Sequence, residues 1–384
     1  MIDEQFLVDT LSELVQINSV NPDLDPDGAG EEELGMYITH LLESLEIEST
    51  VTRLGPNRMN VIGRLKGKGT GKSLMLNAHM DTVGVKGMKN PFSAAVENGM
   101  LYGRGSYDMK GSIAAILATA KSIKEHNLDL AGDVVLAFVA DEEFESRGTQ
   151  QLIKDYKTDA AIVTEPTDLN VCLAHRGFGV FEITTNGRTA HGGNHREGID
   201  ANSKMGLLLA ELEKLAKKLA RETEHPLLDR ASLHVPLIRG GQSLFIYSEE
   251  CTINVERRTL PAETEAEVLN ELEDIIKTIS NRDKHFKATV KPIIWRDPYE
   301  ISDRAPIVNI LRQCATEVLG YRPSDIGHSW WEDSGLIAKA GTETVIMGPK
   351  GGGIHEKTEW VDLQSLTDLS NILLQTAVAY CSDH

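Results

Sequence analysis

Positive charge is scarce in this chain: 39 Lys and Arg stand against 58 Asp and Glu over 384 residues, a formal net charge of −19. A field of that sign repels phosphate backbones and anionic headgroups, which argues against nucleic acid or an acidic membrane as the main partner. Divalent cations stay open, because a few carboxylates gathered in one place would attract them. Long apolar runs are missing too. The longest, such as VVLAFVA at 134–140, are strand-length and far short of the ~18 residues that span a bilayer. Basic residues are absent from the first positions, where Asp3 and Glu4 stand instead, so no cleavable secretory signal is expected. Only four cysteines occur, Cys172, Cys251, Cys314 and Cys381, and none is spaced as a pair. They read as reduced, buried thiols of a cytoplasmic protein. Internal repeats, low-complexity tracts and heptad runs are also lacking.

What is present is a chain too long for one hydrophobic core, with 41% hydrophobic and 25% charged residues, so two domains are expected. Amphipathic spacing predicts helices near the N-terminus and over 31–45. Short, nearly continuous apolar runs then alternate with helical ones: SLMLNAHM (73–80), GSIAAILATAKSIKEH (111–126), DVVLAFVA (133–140), GTQQLIKDY (148–156) and AAIVTE (160–165). This pattern indicates α/β structure with a mostly parallel sheet covered on both faces. From about Gly179 the strands alternate like half-exposed ones, in GVFEITTNG, SLHVPLIRG, ECTINVERR and KATVKPII, with helices over 201–219 and 263–279. That βαββαβ order suggests an antiparallel, ferredoxin-like α+β domain inserted over 179–294. The first style returns after it, so residues 1–178 and 295–384 form one discontinuous domain.

Five segments end in ionisable residues at the edge where open α/β sheets carry their sites. In LMLNAHMDTV, His79 and Asp81 are two apart and point to one side of an extended strand. In LYGRGSYDMKGS, Asp108 sits in a glycine-punctuated loop before a helix, where helix capping is the alternative use of an Asp. VVLAFVADEEFE runs a buried strand into Asp141, Glu142 and Glu143, which repel one another unless a cation compensates. AAIVTEPTDL ends a strand in Glu165, and the Gly-rich GPKGGGIHEKTEW delivers His355.

These segments, HMDTV, GRGSYDMKG, DEE, TEPT and GPKGGGIH, resemble in order and rough spacing the co-catalytic zinc hydrolases that include acetylornithine deacetylase, succinyl-diaminopimelate desuccinylase, aminoacylase and glutamate carboxypeptidase. The resemblance covers essentially the whole chain and makes the inserted domain a lid that forms a homodimer. It implies two divalent metals, Zn2+ with Co2+ or Mn2+ as substitutes: His79 and Glu165 on one, Glu143 and His355 on the other, Asp108 bridging. Asp81 would orient His79, and Glu142 would be the general base for a metal-bridged hydroxide. The peptide bond after Asp108 would be cis. An N/O donor set of two His and three carboxylates suits these metals, and a pair of them acidifies bound water and polarises a carbonyl.

In the lid, the resemblance assigns His191 of TNGRTAHGG to the oxyanion and Arg258 of TINVERR to the substrate carboxylate, with Arg257 on the opposite face. An Arg fork matches a carboxylate. Phe245 stands where relatives carry a substrate-binding Asn, which points to a different or more apolar pocket. His175 and Arg176 are open between substrate contact and ordinary packing or solvation, Trp330 and Trp331 between a substrate wall and core packing, and the resemblance gives Asp333 a supporting position. Glu165 favours hydrolysis of an N-acyl amino acid, since relatives with Asp there tend to be peptidases. A metallo di- or carboxypeptidase is the alternative, and a non-catalytic metal-binding assembly protein a remote one. GKGTGKS (67–73) lacks the spacing of a phosphate loop and precedes a strand, which argues against a nucleotide enzyme.

Overall fold

The computed structural model describes residues 1–222 and 224–382. The chain divides into two compact units: Met1–Leu173 with Ile301–Ile326 and Glu332–His384, and Ala174–Glu300 with Gly327–Trp331. The first seam therefore falls inside the strand Val171–His175, slightly before the boundary expected at 178.

In the first unit, the strands Leu74–His79, Val134–Val139, Ala160–Val163 and Glu343–Ile346 run parallel, in the order 134–139, 74–79, 160–163, 343–346. Every residue of the first three is buried, as the largely apolar content of strands covered on both faces requires. On one face Met75, Val135, Ala137, Val139, Ala161, Val163 and Ile346 pack with Leu152 and Ile337, which the helices Arg147–Asp155 and Ser334–Lys339 supply. Beyond Val134–Val139 the sheet continues as an antiparallel hairpin, Glu48–Gly55 and Arg58–Leu65.

Because the four central strands are parallel, their carboxyl ends share one edge. His79, the 141–143 acids, Glu165 and the loop leading to His355 all leave the sheet there. A small antiparallel sheet, Gly351–Gly352, Trp360–Asp362, Met100–Tyr102 and Ala95–Glu97, holds the loops 103–110 and 353–359 at its ends.

The second unit is a four-stranded antiparallel sheet in the order Ser232–Gly240, Glu250–Thr259, Gly177–Asn186, Lys287–Arg296. The helices Ala201–Leu219 and Glu265–Arg282 complete the βαββαβ order. One sheet face carries Phe181, Ile183, Cys251, Ile253 and Val255, buried with Met205, Leu208, Val268 and Leu272 of the helices. The alternate residues, including Phe178, Glu182, Thr184, Glu256 and Arg258, stay partly exposed. Thr264 and Glu267 form a reciprocal capping box that starts the second helix. Both edge strands expose apolar side chains: Leu237 and Ile238 on one, Ile293 and Ile294 on the other. Among the described residues, no helix is long and apolar enough to cross a membrane, and the four cysteines are buried.

Candidate metal centre

His79 is the last residue of its strand and is buried. Its Nδ1 lies 2.9 Å from the carbonyl oxygen of Asp81. A carbonyl only accepts, so Nδ1 carries the proton and Nε2 is left to face the site. Nε2 is 3.0 Å from Asp108 Oδ1 and 3.6 Å from Glu165 Oε1. The other Asp108 oxygen, Oδ2, is 3.1 Å from His355 Nε2, which also lies 3.1 Å from Glu143 Oε1. His79, Asp108 and Glu165 therefore make one donor group, and Asp108, Glu143 and His355 a second, with the ligand atoms of each within 4.8 Å of one another. Asp108 belongs to both. The peptide bond between Asp108 and Met109 is cis, and His355 adopts a left-handed backbone with φ 59°.

The electrostatics of this cluster favour a cation. Burial raises the carboxyl groups of Glu142, Glu143 and Glu165, and neighbouring acids add to the rise. His355 is held protonated up to about 10 by hydrogen bonds to Asp108 and Glu143. Burial works against the charged form of His79, yet Asp108 and Glu165 outweigh it and raise its pKa well above the ordinary value. Protons thus do part of what a metal would do: they neutralise acids that share one pocket. Two imidazoles and three carboxylates at bonding separations are a donor set that fits two divalent ions.

The Asp81 carboxylate does more than face His79, from which it stands 3.6 Å away. Its oxygens accept the backbone N–H groups of Glu142 at 3.1 Å and Glu143 at 3.2 Å, and Asn21 Nδ2 at 2.8 Å. It therefore also sets the loop that carries both glutamates. Asp141, the first of the three acids, turns away from the cluster. It accepts from Asn21 at 3.0 Å and from Arg58 Nη2 at 2.8 Å, while Arg58 grips buried Glu31 with two bonds of 2.8 Å. Asn21, Glu31 and Arg58 were not singled out from the sequence, because no local motif ties these scattered positions together.

Two further buried ionisable groups flank Asp108. The carboxylate of Glu359 takes the backbone N–H groups of Gly105, Tyr107 and Asp108, each at 3.0 Å. Lys110 sends its ammonium to the carbonyls of Leu14 at 3.0 Å and Ile17 at 2.7 Å, at the end of the helix Glu4–Gln16. Asp333 is buried, accepts from Thr149 Oγ1, and is pushed up to about 6 by burial.

Other residues singled out in the sequence lie in the second unit. Arg258 is on the half-exposed sheet face, its guanidinium 5.0 Å over the Phe178 ring and bonded to Glu256. Arg257 points to the buried face and pairs with Glu263. His191 is exposed; its Nδ1 accepts the Gly193 N–H at 3.1 Å, which leaves the ring proton on Nε2. Phe245 is 73% exposed, and its carbonyl accepts the Gly192 N–H at 2.8 Å, so the 245 loop is fastened to the loop of His191. Arg176 donates to the Leu228 carbonyl, His175 packs beside the rings of Tyr299 and Trp331, and Trp330 stacks on His328.

A parallel sheet whose carboxyl edge presents two candidate donor groups sharing an aspartate is the frame of a metal-dependent hydrolase. A family model described as Peptidase family M20/M25/M40 matches residues 75–379, and the chain belongs to that family. It is 27% identical to the N-formyl-4-amino-5-aminomethyl-2-methylpyrimidine deformylase of Bacillus subtilis (strain 168), over 93% of this chain and 91% of that protein. It is 26% identical to the acetylornithine deacetylase of Myxococcus xanthus, over 88% of each. In fold it is similar to the aminopeptidase PepT from Bacillus cereus ATCC 10987, with a TM-score of 0.82 at 19% identity over 98% and 99% of the two chains. The Bacillus subtilis YXEP protein, described as a dinuclear metal binding peptidase, aligns with a TM-score of 0.76 at 18% identity over 98% of both chains. The chain is accordingly a metal-dependent hydrolase of this family.

Proposed function

We propose that this enzyme hydrolyses the amide bond of an N-acyl amino acid, with two divalent ions held by His79 and Glu165, by Glu143 and His355, and by Asp108 between them. The observation that carries this reading is that the two oxygens of Asp108 face two different imidazoles, at 3.0 Å and 3.1 Å. Zn2+ is the best match to the donors, with Co2+ or Mn2+ as substitutes. When bound, such a pair supplies Lewis acidity that polarises the scissile carbonyl and acidifies water.

The remaining work falls to side chains. Glu142 is half-buried, adjoins the ligand Glu143 and belongs to neither donor group. Its carboxylate takes the proton of the attacking water and returns it to the leaving nitrogen. Asp81 holds Glu142 in register through its backbone N–H. Arg258 receives the substrate carboxylate with its fork of donors, and the Nε2–H of His191 donates to the developing oxyanion.

Cleavage of an acyl group is favoured over cleavage of a peptide by the two sequence relatives, a deformylase and a deacetylase. The peptidase reading rests on the family's description and on fold neighbours of lower identity. A screen of the metal-reconstituted enzyme on N-formyl, N-acetyl and N-succinyl amino acids beside di- and tripeptides separates them. The expected result is a preference of at least about tenfold in kcat/KM, ~1.4 kcal/mol of transition-state binding, for an N-acyl amino acid. Activity on peptides alone would overturn it, and no turnover on either class with both metals loaded would favour a binding protein.

The enzyme is read as a homodimer through the inserted unit, whose edge strand Ser232–Gly240 exposes Leu237 at 49% and Ile238 at 57%. An unpaired edge of this kind is a template for a second copy. Light scattering at micromolar concentration should give twice the chain mass; a monomer would refute the assignment.

A further inference from the structure

We propose that Glu359 is the positioning residue of the metal centre, fixing Asp108 for both donor groups at once. The inference rests on reading Asp108 as the shared ligand. Asp108 lies in the loop 103–110, where Gly103 and Gly105 take φ of 155° and 80°. The loop's N–H groups at Gly105, Tyr107 and Asp108 find no strand or helix partner, and buried donors need one. Glu359, 1% exposed, supplies it. Its Oε1 accepts from Tyr107 and Asp108, and its Oε2 from Gly105 and from Arg104 Nη1. Four donors converge on one carboxylate, and the Arg104 guanidinium neutralises its charge.

The bond from the Asp108 N–H pins the backbone next to the very side chain whose two oxygens face His79 and His355. Rotation of that peptide would swing both oxygens together. The link is also structural in the other direction. Glu359 follows His355 by four residues, and its carbonyl accepts the Gly103 N–H at 3.1 Å. Arg104 Nη2 donates to the Glu356 carbonyl at 3.0 Å. The segment that delivers His355 is therefore laced along its length to the loop that delivers Asp108. Only an anion can accept on both oxygens. A glutamine keeps one acceptor and turns an NH2 group against the donors on the other side.

The test is a titration of metal-free protein with Zn2+ against a chelating indicator, with the Co2+ visible spectrum as a readout of ligand geometry. Glu359→Gln should weaken both binding steps by about 10–100-fold, as loss of a group that orients a ligand does, and should alter the Co2+ spectrum. Glu143→Gln, which touches one donor group only, should weaken one step. Leu373→Ala, a buried change in the helix Leu363–Tyr380, serves as a control for lost stability and should leave both steps within about threefold of the parent. The proposal falls if Glu359→Gln binds like the parent, if it shifts one step only, or if Leu373→Ala weakens binding equally. Should Glu359→Gln not fold, Glu359→Asp, too short to reach all the donors, is read by the same criteria. Asp108→Asn serves as the outer control: if it still binds two ions with parental affinity, the shared-ligand reading itself is wrong.

Discussion

Glu142→Gln is expected to keep both metal ions and to lower kcat by about 10²–10⁴-fold, the range attributed to a positioned proton-transfer group. Place and basicity together mark Glu142 for this role. Glu142 leaves the same loop as Glu143, but only Glu143 comes within reach of His355. Burial first, and then the charge of Glu165, raise the Glu142 carboxyl well above its ordinary value, against the opposing pull of His79. A carboxylate raised in this way is a better proton acceptor than a solvated one. The amide variant preserves size and the backbone bond to Asp81 while removing the proton-accepting oxygen. Metal content by elemental analysis and kcat on the best substrate decide the matter. A variant with full metal and a kcat within tenfold of the parent would assign the base elsewhere.

The second large effect is on protons. Loading the metal-free protein near pH 7 should expel at least two of them, one from each histidine. His355 stays protonated up to about 10 because Asp108 and Glu143 bond to its charged form, and His79 is raised well above its usual value. Ligation requires the neutral imidazole, so the ion and the proton compete for Nε2. The sign follows: lowering the pH strengthens the competitor, so affinity falls with falling pH across the neutral range. Two displaced protons make the overall constant for loading both sites change by about 100-fold per pH unit. Calorimetry in buffers of different ionisation enthalpy counts the protons, and a count near zero would contradict the arrangement of the two histidines.

Much of this centre can be read from the chain because parallel strands translate sequence into space simply. An apolar run ending in an acid or a histidine puts that residue at one edge, and His79, Glu142, Glu143 and Glu165 were located that way. The βαββαβ insert was equally plain, since period-two alternation there switches on at the half-exposed strands. The hairpin of Glu48–Gly55 and Arg58–Leu65 was not read, because its outer strand, ESTVTRLG, is polar and open to solvent and carries no apolar signal. The supporting groups were not legible either. Arg58 meets Asp23, Glu31 and Asp141, and Glu359 meets the loop 104–108, through contacts that span tens to hundreds of residues. Nothing local marks a glutamate as an acceptor for distant N–H groups. Asp81 was expected beside His79, but its bonds to the loop of Glu142 depend on a turn that no spacing rule encodes.

One consequence follows from where the inserted unit interrupts the first. His79, Asp108, Glu143 and Glu165 precede the insertion, and His355 comes after it. An ion held by Glu143 and His355, as proposed, would be a removable cross-link between two stretches of backbone that the insertion separates. In the unfolded chain, closing such a long loop costs entropy, and a link made only in the folded state offsets that cost. In the proposed arrangement, binding of the ions and the integrity of the interrupted unit would be tied together, the return of the chain after its excursion being secured by the atoms assigned to the chemistry.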